Sequence, residues 1–95
     1  MPIIFKRVVL FLLFSCFISF SQEKEVMTYH KLYNTLRNTN FKKAKEYAEL
    51  AVSLSNGVKN DSLNSISYYN RSEIFYRYNL LTDAKSDINK AIELA

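Results

Sequence analysis

Apolar residues in most of this chain recur every three or four positions, and strand-type alternation is nowhere sustained. That spacing puts them on one face of a helix. Between 41 and 54 the stripe is Phe41, Ala44, Ala48, Ala51 and Leu54, closed by the polar Ser55. Between 81 and 94 it is Leu81, Ala84, Ile88, Ala91 and Leu94. The intervening "YYNRSEIFY" (68–76) is less simple: Tyr68, Ser72 and Phe75 share one stripe, and Tyr69 and Tyr76 lie on another. A helix that is apolar on two sides needs neighbours on two sides. The pattern predicts four helices, over 24–38, 41–55, 61–78 and 82–95, and an all-α fold.

The expected breaks have physical causes. "NTN" at 38–40 offers side chains that cap helix ends. "SNGVKND" at 55–61 holds Gly57, suited to a left-handed turn after a helix, followed by Asn60 or Asp61 as the next cap. Thr82 stands where it could cap the fourth helix. Links this short make consecutive helices antiparallel neighbours, so the chain reads as two helical hairpins.

The first 21 residues follow another rule. Lys6 and Arg7 precede a 13-residue apolar run, Val8 to Phe20, and the small residues Ser19 and Ser21 are spaced as a peptidase site requires. That is the plan of a secretory signal peptide, and the run is shorter than the roughly 20 residues of a spanning helix. The expectation is a signal peptide at 1–21, cleavage after Ser21, a mature N-terminus at Gln22, and an exported bacterial protein, periplasmic or extracellular. An uncleaved inner-membrane anchor is the alternative, and lipidation of Cys16 in "LFSC", loosely like a lipobox, is another. Cys16 is the only cysteine, so a cleaved chain has no disulfide or thiol chemistry. Loss of Lys6 and Arg7 takes 13 basic residues to 11 against 9 acidic ones, a net +2 rather than +4. So mild and dispersed a charge gives no case for nucleic acid or anionic lipid.

The two Ala-rich stretches match each other. "FKKAKEYAELAVSL" and "LTDAKSDINKAIEL" share an apolar first residue, Ala three on, Ala seven further and Leu three after that, and Ala44 and Ala84 are 40 residues apart. Self-similarity at such a period is the mark of a stacked repeat. The second unit, about 61–95, resembles the tetratricopeptide repeat (TPR). Tyr68, Ser72 and Phe75 stand like the aromatic, small and aromatic residues of that family's first helix, and "AKSDINKAIEL" is similar to its second, with Ala84, Ile88 and Ala91 in place. Asn79 replaces the usual turn glycine. The first unit, about 26–55, fits in its second helix. In its first helix Tyr29 and Leu36 align if the turn is one residue short, which puts Tyr33 where the family has a small residue. The resemblance implies a stacked α-solenoid over 22–95, with Tyr69, Glu73, Tyr76 and Arg77 toward a concave groove. Asn70 matches an asparagine with which some members grip a peptide carboxylate, and Asn34 a second one. The third helix of such a clamp is missing.

The implied role is an exported scaffold for protein–protein or peptide binding, with Tyr69, Asn70, Glu73, Tyr76 and Arg77 as the exposed set and Asn34 beside them. The alternative is that the chain is the N-terminal sensor or repeat fragment of a longer membrane signalling or regulatory protein. No enzyme activity is expected: His30, the one histidine, reads as a surface residue with no nucleophile to serve. One histidine and no mature cysteine give no metal set, and one glycine makes no phosphate loop, so no cofactor is expected. Tyr76 with Arg77 is the best pair for stacking bases, but the aromatics fit packing better, so nucleic acid is not an expected partner.

Overall fold

The computed structural model describes residues 21–95, and all regular structure among them is helical. The helices are α1 (21–36), α2 (Phe41–Ser53), α3 (Asp61–Arg77) and α4 (Leu81–Leu94). The expected signal segment up to residue 20, with Cys16, lies outside the described residues. Ser21 and Gln22, which flank the expected cleavage point, are helical. No helix among the described residues is long and apolar enough to cross a membrane.

The ends follow local chemistry. Asn40 caps α2, its side-chain oxygen accepting from the Lys43 amide at 3.2 Å, and Asn60 caps α3 by accepting from Leu63 at 3.1 Å. Asn79 terminates α3 at φ 59°, a left-handed conformation that asparagine tolerates better than most residues. The Leu80 amide reaches the Phe75 carbonyl at 2.8 Å and the Asn79 amide reaches Tyr76 at 3.0 Å, which together make a Schellman closure. Because Leu80 both completes this closure and precedes α4, the next helix starts at once. Its N-cap is therefore Leu80, without a side-chain cap, and the expected capping residue Thr82 sits inside the first turn. Asp83 in that turn complements the helix dipole instead. Gly57 also departs from expectation, since its φ is not positive. A Cβ there would meet only the terminal amide of the Gln22 side chain of α1, a flexible group that can move aside.

Helix α1 runs antiparallel to α2, with Val26 in a cluster with Ala51 and Val58, and Tyr29 stacked on Tyr47 at 5.9 Å. Helix α3 lies on this pair and runs parallel to α1. The contacts climb together along both: Glu23 with Asn60, His30 with Ser67, Tyr33 with Glu73, and the Arg37 carbonyl with Arg77. On its other side α3 pairs antiparallel with α4, where Ser65 donates to the Ala91 carbonyl at 2.7 Å and Arg71 meets Asp87. The two-sided burial foreseen for the 68–76 stretch is thus present, but its buried residues are mostly small and polar: Asn64, Ser67, Asn70 and Ser72, with Ile74 the one large aliphatic. Ile74 shares a cluster with Tyr33, Ala44 and Ala48.

The stripe of α2 lies as expected, with Ala44, Ala48 and Ala51 buried. That of α4 is rotated. Ala84 and Ala91 are buried together with Asp87, while Ile88 and Leu81 are 39% and 56% exposed.

Truncation should separate the two kinds of aliphatic side chain. Ile74→Ala removes a fully buried knob and is expected to cost about 2–5 kcal/mol, enough to unfold much of so small a domain. Ile92→Ala, at a position 68% exposed, should change stability by less than about 0.5 kcal/mol. Urea melts of both variants check this; similar losses would contradict the packing described.

Candidate functional site

The outer face of the α3–α4 pair carries an open groove of about 450 Å³. One wall is Tyr69, Ser72, Glu73 and Tyr76 from α3; the other is Leu81, Ala84, Lys85 and Ile88 from α4. Spacings of three and four residues on each helix bring these side chains to one face. Ser72 and Ala84 form the floor, both buried, with the Ser72 hydroxyl turned onto the Tyr69 carbonyl at 2.6 Å. Small residues there let the aromatic and aliphatic walls stand above it. Tyr69 and Tyr76 are 53% and 68% exposed.

Of the residues expected in the exposed set, Tyr69, Glu73 and Tyr76 therefore share this groove. Glu73 is half-buried and already engaged. It accepts from the Tyr33 hydroxyl at 2.8 Å and pairs with Arg77 at 3.3 Å and Arg37 at 3.7 Å. Burial and the neighbouring carboxylate together raise the Tyr33 pKa well above the usual phenol range. Arg77 points away from the groove: it donates to the Arg37 carbonyl at 2.9 Å and lies 4.8 Å above the Phe41 ring. This also removes it from any base-stacking pair with Tyr76. Asn34 is exposed on α1, outside the groove lining.

Two expectations are corrected outright. Asn70 is buried, not part of an exposed set, and its side-chain nitrogen has no hydrogen-bond partner among the described residues. Position 70 lies three residues after Ser67 and four before Ile74, on the face of α3 that the α1–α2 pair covers. His30 is likewise buried rather than on the surface, with Nε2 2.8 Å from the Ser67 hydroxyl. When the Ser67 proton lies on the Leu63 carbonyl, 3.2 Å away, Nε2 carries its own hydrogen and donates. Burial lowers the His30 pKa, because the imidazolium loses solvation there.

One pair escaped the sequence reading. Arg71 grips Asp87 through two bonds, Nε to Oδ2 at 2.6 Å and Nη2 to Oδ1 at 2.8 Å. The guanidinium also lies 5.6 Å from the Tyr68 ring and 5.4 Å from that of Phe75. The Asp87 hydrogen bond raises the Arg71 pKa against the opposing effect of burial. The signal was available: Asp87 stands three residues after Ala84 and four before Ala91, an acid within an apolar stripe, and such an acid requires a partner. The pair braces α3 against α4 and holds the two groove walls in register. No family model, curated protein or solved structure matches the chain.

Two outcomes check this electrostatic frame. Asp87→Ala leaves a half-buried guanidinium without its acceptor and is expected to cost about 1.5–3 kcal/mol, whereas exposed Asp83→Ala should cost far less; equal costs would contradict the bracing role. For His30, the unfolded chain binds the proton more readily than the folded one. Stability is then fully present above about pH 6.5 and falls as pH drops below it. Melting temperatures measured between pH 7.5 and 5.5 should decline, and His30→Gln should flatten that decline; an unchanged slope would contradict it.

Proposed function

We propose that the chain is an exported helical-repeat scaffold that binds a protein or peptide in the α3–α4 groove, with α1–α2 and α3–α4 as successive units of a tetratricopeptide-like stack. The observation that carries this reading is the groove itself: exposed Tyr69, Tyr76, Leu81 and Ile88 over a small-residue floor. Exposed aromatic rings bring large contact area at little entropic cost, because each has only two side-chain torsions to fix. Export rests on the charged start and apolar run of the first 21 residues. Binding would come from shape and apolar burial, with Lys85 at the rim to favour a negative group on the partner. The arginines nearest the groove are committed to the fold, so the Asn70-based carboxylate grip is not carried forward.

Selection of displayed peptides against the full chain tests the reading. Peptides that emerge should lose at least about tenfold in affinity, or 1.4 kcal/mol, for Tyr76→Ala and for Tyr69→Ala, two exposed positions whose truncation leaves the fold intact. Binding unchanged by both substitutions, or the emergence of no peptide at all, would overturn it.

A further inference from the structure

The chain carries its own template for what fits the groove. Aligning the first helices at an offset of 39 and the second at 40 gives each groove residue a counterpart on the α1–α2 pair. Tyr69, Ser72 and Tyr76 correspond to His30, Tyr33 and Arg37. Leu81, Ala84, Lys85 and Ile88 correspond to Phe41, Ala44, Lys45 and Ala48. Every one of these counterparts is covered by α3 or the residue that caps it. His30 meets Ser67. Tyr33, Ala44 and Ala48 share a cluster with Ile74. Arg37 meets Glu73, the Phe41 ring lies 5.7 Å from that of Tyr78, and Lys45 sits 5.1 Å from the Tyr78 ring. Only Asn34, the counterpart of Glu73, is left exposed. The α3–α4 groove is therefore the same surface one repeat later, and among the described residues no helix covers it.

Resting on the binding role just proposed, we infer that the partner enters this groove as an amphipathic α-helix, lying as α3 lies on α1–α2. The residues by which α3 docks define its chemistry. Ser67, Ile74 and Tyr78 set the pattern: a small residue, an aliphatic seven positions on, and an aromatic four beyond that. These spacings place the three on one helical face. The small residue passes Tyr69, the aliphatic enters between Ser72, Ala84 and Ile88, and the aromatic reaches Leu81 and Lys85.

A second copy of the chain is a poor occupant. Stacked end to end it would present α1 and the turn after it, whose residues at the same register are Thr28, Thr35 and Thr39. All three are exposed, and Thr28 and Thr35 turn their hydroxyls onto the Lys24 and Lys31 carbonyls at 3.0 and 2.9 Å. A threonine in the aliphatic slot would leave it half-filled and wet. That end of the molecule is polar and the groove end is not.

Two probes decide the matter, read by amide chemical-shift changes in the full chain. One is a peptide of residues 61–78 stapled into a helix on the side away from Ser67 and Ile74. The other is the same peptide with Asn70→Pro and no staple. The inference expects the stapled peptide to bind with shifts centred on Ala84 and Ile88, to lose at least about tenfold for Ile88→Glu, and to exceed the broken peptide by a similar factor. Equal binding of both peptides in the groove would overturn the helical partner yet leave a peptide-binding role standing. Binding of neither up to about 1 mM, the weakest range of specific affinity, overturns the inference. Peptides selected by display would then still decide the broader role. Dimerisation of the chain abolished by Ile88→Glu would make a second copy the occupant and overturn it too.

Discussion

Helix α3 must bury itself on two sides at once, and the rest of the structure depends on how it does so. Its Ile74 side supplies the knob for the cluster of Tyr33, Ala44 and Ala48. Ser65, on the opposite side, and Arg71, between the two faces, carry it to α4. A helix with hydrophobic residues all round would satisfy both neighbours but select no particular rotation against either. Here the second requirement is met with small and polar residues, which allow close approach and then specify position through hydrogen bonds. The energetic consequence is a core with few large side chains, so a single truncation at Ile74 weighs heavily against the marginal stability of a domain this size.

The interfaces of α3 with α1 and with α4 carry polar pairs that set their register. Between α1 and α3 these are His30 with Ser67 and Tyr33 with Glu73; between α3 and α4 it is Arg71 with Asp87. Partly buried ion pairs contribute little net stability against an apolar alternative, because desolvation opposes the Coulomb gain. Slippage, however, would leave each group without its partner, and that is costly. In this reading the pairs act chiefly against wrong alignments. Tyr33 engages Glu73, and Arg77 is held by Glu73 and the Arg37 carbonyl, so a surface that looks charged in the sequence is largely apolar where it is open.

Helix number, a cap within 38–40 and a cap at Asn60 or Asp61 were legible in the sequence because each is a local effect, and the resemblance pointed to Asn79 as the turn residue. So was the apolar stripe of α2. The rotation of α4 was missed, although Asp87 within the stripe signalled it. Periodicity alone weighs Ile88 above Asp87, whereas Arg71 across the interface reverses that preference. Tertiary partners decided the fate of Asn70 and His30 as well. A polar residue within an aromatic-rich helix faces solvent or core according to where the neighbouring helices sit, and no spacing rule carries that information. Of the candidate site, Tyr69 and Tyr76 could be read from the sequence, while Leu81, Lys85 and Ile88 joined them only once α4 was placed.

The repeat and the groove are two aspects of one arrangement. The face that α3 buries on α1–α2 has its counterpart on α3–α4, which no helix covers among the described residues. With the proposed binding role, this ties stability in the first unit to recognition at the second, with α3 as the shared element. Native-state hydrogen exchange tests that directly. The account predicts that the slowest amides lie in the middle of α3, around Ser67 to Ile74, and open only with the whole molecule. Slowest exchange in α1 or α4, with α3 opening earlier, would contradict it.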